Sequence, residues 1–313
     1  MYIIIGAGTI AVEYFRILKD TNVNVKVIGR GQTSADAFFS KTGCVVNLKS
    51  LEDFLMSNAE PVDGVIVAVN VESLYPVIME CIRFGIKKIM VEKPGAITSK
   101  QLNEIALYAD LNNVKIFIAY NRRNYSSTIE AKKLIEIDGG VKSYRFEITE
   151  WGHQISRLDK KDEVLNNWFL ANTSHVVDLA FYLCGRPREL NSICSQPTEW
   201  HPSGTNFCGS GVTENGALLV YFGNWLSPGR WGVEIQTEYH KIILCPLETL
   251  KIQKIGSLLV EEIKVDNELD IQYKPGFYLQ VKSFVCEEFS HLCTIEEHLL
   301  NCRWYDQIAG YAN

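Results

Sequence analysis

The opening of the chain sets the tightest constraint on its fold. A β-branched run, Tyr2–Ile5, meets Gly6-Ala7-Gly8-Thr9-Ile10-Ala11, and Val12, Phe15 and Leu18 follow at helical spacing. Strand, glycine turn and helix in that order then give way to further alternation. Val23–Ile28, Cys44–Val46, Val62–Val69, Lys87–Val91 and Val114–Ala119 read as strands. Ser34–Lys41, Leu51–Ser57, Tyr75–Phe84 and Ser99–Asp110 read as helices between them. The run Val62–Val69 is apolar almost throughout, as in a strand buried on both faces. Alternation at this density predicts a parallel sheet covered by helices on both faces.

After Asn121 the rhythm changes. A helix over Ser127–Ile137 ends at Gly139-Gly140, and Val141–Glu150 alternates as a strand. Asn172–Cys184 reads as a helix stopped by Gly185 and Pro187, and strand-like runs dominate from Glu189 to about Asp266, with Asn215-Gly216 as a hairpin turn. Helices over Tyr278–Leu292 and Thr294–Tyr305 close the chain. The expected division is a nucleotide-binding domain over 1–121 and an α+β domain over 122–313, the strands of the latter forming a mostly antiparallel sheet.

At 313 residues, 47% of them hydrophobic and 22% charged, the chain can bury two ordinary cores. Residues 1–121 hold 12 basic and 12 acidic groups, so the whole net charge of −6 lies in the second part. Without a Lys/Arg-rich stripe, nucleic acid is not an expected partner. No apolar run approaches the ~18 residues of a membrane-spanning helix, and Met1 leads into a strand rather than a basic leader, so a cytoplasmic location is expected. The nine cysteines form no Cys-x-x-Cys pair and are read as reduced, mostly buried apolar residues, with no metal site expected.

Gly6-x-Gly8-x-x-Ala11 is a dinucleotide fingerprint. Gly6 permits the tight turn, Gly8 lets the backbone approach a pyrophosphate, and Ala11 lets the helix pack on the strand. N–H groups near Thr9 and Ile10, at the helix start, face the phosphates. The second strand ends in Gly29-Arg30-Gly31 with Thr33 and Ser34 close by, and no acid before Asp36. An acid there would bond the ribose hydroxyls of NAD, whereas a guanidinium suits a 2′-phosphate. NADP is therefore preferred over NAD.

Three further motifs complete a pattern. Glu92-Lys93-Pro94-Gly95 follows the strand Lys87–Val91, Tyr120-Asn121-Arg122-Arg123 follows Val114–Ala119, and His175-Val176-Val177-Asp178 lies on the next domain's helix. In this order they resemble the Gfo/Idh/MocA oxidoreductases, across essentially the whole chain. The resemblance implies an α/β protein with an N-terminal doubly wound Rossmann parallel sheet and a C-terminal α+β domain with a large, open-faced sheet. It also implies a homo-oligomer, dimer or tetramer, joined through that sheet. By the same resemblance Lys93 bonds the reacting substrate oxygen, Glu92 helps fix the lysine beside the cofactor, and Asn70 contacts the nicotinamide-ribose side. His175 then exchanges a proton with the substrate hydroxyl, and the Lys93–Pro94 bond is expected to be cis. The implied activity is hydride transfer between NADP or NAD and a carbon of a sugar, sugar-nucleotide or cyclitol.

One position departs from the family pattern. Many relatives carry an aspartate one turn before the histidine, where this chain has Ala171. Asn172, Trp151 and His153 are candidates for the missing contact, and Trp151 also suits stacking on a sugar face. Arg122 and Arg123 suit either an anionic substrate group or salt bridges at the domain boundary. The absence of the aspartate leaves open a nucleotide-sensing protein of the same fold without catalysis, and a reductase of a planar substrate such as a bilin is a further alternative.

Overall fold

The computed structural model describes residues 1–311. Contacts divide the described chain into two units, Met1–Tyr120 with Gln272–Leu299, and Asn121–Ile271 with 300–311.

In the first unit, strands β1 (Tyr2–Ile5), β2 (Val25–Ile28), β3 (Gly64–Val67), β4 (Lys88–Val91) and β5 (Lys115–Ile118) are all parallel, in the order β5-β4-β3-β1-β2. β1, β3 and β4 are buried at every residue, which explains their apolar composition, broken by Lys88 at the start of β4. From β1 the chain steps outward to β2 and then returns to pair β3 on the other side of β1. That reversal opens a crevice at the carboxyl ends of the strands, where Gly6, Gly29 and Asn70 all emerge.

Two sequence expectations are corrected here. Cys44–Val46 is not a strand: only one bridge, Ile28 to Asn47, joins this stretch to the sheet, and Val45 is exposed. The sheet is instead extended beyond β5 by a two-residue antiparallel strand, Cys293–Thr294, from the far end of the chain. Gln272–Leu299, assigned by sequence to the second domain, thus packs with the first. The cause is aromatic: Phe277 lies 5.1 Å from Tyr14, Phe284 6.1 Å from Phe117, and Phe289 stacks on Phe117 at 4.6 Å. Lys88 Nζ and Glu287 add an ion pair at 2.9 Å.

The second unit is built on β6 (Ser143–Glu147), β7 (Pro187–Ser195), β8 (Asn206–Thr213), β9 (Leu218–Asn224), β10 (Gly232–Gln236), β11 (His240–Leu244), β12 (Leu250–Lys254) and β13 (Val260–Ile263). They run in the order β13-β12-β11-β10-β6-β9-β8-β7, antiparallel except for the β6–β9 pair. Along β9, Leu219 and Tyr221 are buried while Leu218, Val220 and Phe222 are exposed, the period-two signature of a sheet covered on one face. Helices Ser126–Ile137 and Ser174–Cys184 supply the cover. Cross-strand registry puts Arg145 beside Glu234 and Val220 on the uncovered face, so that face is apolar toward β7–β9 and charged at its middle. The expected Asn215-Gly216 turn joins β8 to β9, with Gly216 at φ +84°.

The helix carrying His175 is buried on nearly every side. Every residue of Ser174–Cys184 except Tyr182 is buried, because the helix lies between the sheet and further chain. The cysteines are less buried than expected: four are buried, three half-buried and two exposed, and none is in a disulfide. Among the described residues no helix is long and apolar enough to cross a membrane, and no group of three or more His, Cys, Asp or Glu is placed to hold a metal ion.

Candidate active site

The first unit carries a cavity of about 490 Å³ at the carboxyl ends of β1, β2 and β3, walled in part by Gly6, Gly8, Arg30, Ser34, Lys49 and Asn70. Gly6 sits at φ +120°, and a Cβ there would collide with the Ala68 carbonyl, so only glycine makes this turn. Gly8 is the opposite case: a Cβ would meet nothing within 4 Å. Its Cα faces open space at the start of helix Thr9–Asp20, whose first turn has no side-chain cap and no acid. N–H groups at that turn are thus left for an anion. Ala11 is fully buried in the core that includes β1, which explains its small side chain. Asn70 precedes helix Val71–Arg83 without using its side chain to cap it. This cradle fits the pyrophosphate of a dinucleotide.

Of the expected cofactor residues, Gly6, Gly8, Gly29, Arg30, Ser34 and Asn70 line one cavity. Thr9 and Ile10 lie in the adjoining helix turn, Thr33 is exposed outside the lining, and Glu92 is not part of it either. Lys49 was missed. It follows the Ile28–Asn47 bridge, a tertiary contact with no local signal, and it brings a second cation to the wall that holds Arg30. The acid in the lining, Glu80, comes from helix Val71–Arg83 rather than from the end of β2.

Glu92 and Lys93 leave β4 in a tight turn. The Glu92 N–H donates to the Val67 carbonyl at 2.9 Å, and the Gly95 N–H returns to the Glu92 carbonyl at 3.0 Å. The Lys93–Pro94 bond is cis. The Tyr14 hydroxyl donates to Glu92 Oε1 at 2.6 Å. Burial pushes the Glu92 carboxyl above its ordinary value, against the lowering pull of the Tyr14 bond and of the Lys93 and Lys274 charges. Glu92 is therefore a half-buried anchor beside Lys93, not a wall of the nucleotide cavity. Behind the turn, buried His298 places Nε2 3.0 Å from the Pro94 carbonyl oxygen and Nδ1 3.4 Å from the Tyr120 hydroxyl. Tyr14 and His298 come from opposite ends of the chain, so no sequence spacing links them to the motif.

In the second unit the two adjacent arginines part company. Arg123 is 2% exposed and grips Asp178 with two charge-assisted bonds, Nε to Oδ2 at 2.8 Å and Nη2 to Oδ1 at 2.6 Å. The i+3 partner of His175 is thereby committed to a structural pair. Arg122 points elsewhere. Its guanidinium lies 4.8 Å from the Trp231 ring centroid and lines a cavity of about 350 Å³ with Glu150, Trp151, Arg230 and Trp231.

Glu150 is the main feature the sequence did not reveal. Only 9% exposed, it accepts from Trp168 Nε1 at 2.9 Å and Asn172 Nδ2 at 2.8 Å, and also from the Thr173 hydroxyl. The donors lie on or just before a π-helical segment, Phe169–Thr173, that contains Ala171 and runs directly into the His175 helix. Asn172 thus reaches the cavity only through Glu150, while Trp151 lines it and His153 does not. Buried His175 lies 6.3 Å from Trp231, ring to ring.

Residues 1–120 match the model of an oxidoreductase family with an NAD-binding Rossmann fold, GFO_IDH_MocA. No curated protein matches the chain. Solved structures match along nearly its whole length. A dehydrogenase, MviM, from Clostridium difficile is 17% identical with a TM-score of 0.78, covering 99% of each chain. UDP-N-acetylglucosamine 3-dehydrogenase GnnA from Acidithiobacillus ferrooxidans is 12% identical with a TM-score of 0.75, over 98% of this chain and 95% of its own. The WlbA dehydrogenase from Chromobacterium violaceum, in complex with NADH and UDP-GlcNAcA, is 17% identical with a TM-score of 0.71, over 99% and 93%. Residues 1–120 thus resemble that family of NAD-binding oxidoreductases, and the chain shares the fold of these dehydrogenases throughout.

Proposed function

We propose that the protein is an NADP-preferring oxidoreductase acting on a hydroxyl-bearing carbon of a sugar, sugar-nucleotide or cyclitol. The observation that carries this reading is the cavity behind Gly6 and Gly8, with an uncapped helix start on one side and Arg30 and Lys49 on another. No acid stands at the end of β2 to favour an unphosphorylated ribose, and two cations suit a 2′-phosphate. Asn70 is assigned to the nicotinamide-ribose side. When bound, the nicotinamide supplies or accepts a hydride.

The remaining chemistry falls to side chains. Lys93 bonds the substrate oxygen and polarises or deprotonates it, while Glu92, fixed by the Tyr14 hydroxyl, anchors the turn that carries the lysine. His175 passes the hydroxyl proton onward, its helix fixed by near-complete burial. Exchange of Lys93 for Ala should leave NADPH binding, followed by its fluorescence, within twofold of wild type and remove turnover. Retained turnover would overturn the role of Lys93.

A second reading is favoured by Ala171, which leaves the turn before His175 without a carboxylate: a nucleotide-sensing regulator of the same fold. Turnover with any member of a panel of free and nucleotide-linked sugars decides for the enzyme. The protein is also proposed to self-associate through the exposed apolar end of its large sheet, where Leu218, Val220 and Phe222 stand in a row. A monomer in sedimentation at micromolar concentration would refute this.

A further inference from the structure

We infer that the cavity of the second unit recognises a hydroxylated ring bearing an acidic group. This inference rests on the oxidoreductase reading and names its substrate class. The wall contains two guanidiniums, Arg122 and Arg230, and among the described residues neither is paired with a carboxylate within ion-pair distance. The contrast with Arg123, one residue away and locked bidentate to Asp178, sets Arg122 apart as a cation not used by the fold. Arg122 is held in place all the same. The hydroxyl of Thr128 donates to its carbonyl at 2.9 Å, and its guanidinium rests over Trp231. The indole N–H of Trp231 is buried without an acceptor among the described residues, and an oxygen of a bound ligand would satisfy it.

The acids of the wall shape the choice further. Glu248 is exposed to solvent, where its charge is screened. Glu150 is buried, and three donors hold both of its oxygens, so a fixed carboxyl group stands in the same wall. A ligand with one acidic group aligns that group with the arginines and presents hydroxyls, not a second anion, toward Glu150. Trp151, 55% exposed and in the lining, offers a ring face to the apolar side of a pyranose. The acidic group can be a carboxylate, a phosphate monoester or the diphosphate of a sugar nucleotide, since a guanidinium fork binds each of them.

The test is calorimetric titration of the full chain, saturated with NADP, with D-glucuronate, glucose 6-phosphate, UDP-glucose and neutral D-glucose. At least one of the three anions should bind at least about tenfold more tightly than glucose, and which one binds identifies the source of the anion. Arg122→Met and Arg230→Met should each weaken that anion by about tenfold to a hundredfold, the loss expected for one charge-assisted bond. The urea midpoint and NADPH affinity of both variants serve as controls for folding and should not move. Equal binding of glucose, no binding of any of the three anions, or full affinity in both arginine variants would overturn the inference. Anion binding with these sensitivities in a protein that neither binds NADP nor turns over substrate would instead overturn the oxidoreductase reading and leave the anion site standing.

Discussion

His201 should make the second unit acid-sensitive by an amount that can be worked out. Its ring is fully buried, 4.9 Å from Trp225 and 3.1 Å through Nε2 from the Tyr311 hydroxyl, with Nδ1 bonded to the Gly204 carbonyl. The Phe169 N–H donates to the Tyr311 oxygen at 3.1 Å, leaving the Tyr311 proton for Nε2. Neutral imidazole is satisfied at both nitrogens. Burial lowers the pKa from 6.5 to about 4, opposed in part by the Gly204 bond. The folded chain therefore holds this proton less tightly than the unfolded chain, and the unfolded state takes up more protons between those two values. The contribution of His201 is whole above pH 6.5, declines as pH falls toward 4, and changes no further below it. At roughly 1.4 kcal/mol per pH unit the full loss is about 3 kcal/mol. All six tryptophans lie in the second unit, so tryptophan fluorescence in a urea titration reports its unfolding. His201→Gln keeps a donor and an acceptor but cannot take up a proton. The stability advantage of wild type over this variant should shrink by about 3 kcal/mol between pH 7.5 and pH 4, with carboxylate titrations cancelling in the difference. An advantage that stays constant across that range would refute the reasoning.

Three other outcomes follow from the geometry. Arg123→Met or Asp178→Asn should each cost the second unit about 3–5 kcal/mol by leaving a buried partner charge uncompensated, while Arg123→Met combined with Asp178→Leu should recover most of it in the same urea assay. Gly8→Ala should leave the thermal midpoint within a degree or two yet weaken NADPH binding, whereas Gly6→Ala should lower the midpoint outright because its Cβ strikes the Ala68 carbonyl; equal midpoints for the two variants would contradict this account of the turn. Arg30→Asp and Lys49→Glu should each shift the NADP-to-NAD affinity ratio toward NAD by about tenfold, measured by fluorescence titration, and an unchanged ratio in both would show that neither cation reads the ribose phosphate.

How much of this was legible in the chain depended on whether an interaction was local. The parallel strands announced themselves because burial on both faces requires apolar residues at every position, as in Gly64–Val67. Gly6 and Gly8 were legible because each answers to a backbone requirement within one turn. Cys44–Val46 carries strand-forming residues, yet strand identity depends on a partner, and one bridge at Asn47 is all the tertiary fold provides. The docking of Gln272–Leu299 onto the first unit was hidden for the same reason. The apolar residues of Phe277–Cys286 mark it as buried, but nothing in it says that Tyr14 and Phe117 wait some hundreds of residues earlier. The candidate site divides along the same line. Lys93 and His175 stand in readable motifs, but the division of labour between Arg122 and Arg123 is decided by which way a 3₁₀ turn over Asn121–Asn124 directs two neighbouring side chains. Glu150 is the extreme case. As a sequence it is one acid at the end of a strand; only the folding of a π-helical segment some twenty residues later brings Trp168, Asn172 and Thr173 to its oxygens. Motif order reports that Ala171 stands before His175, but it cannot report which distant carboxylate the same segment contacts once folded.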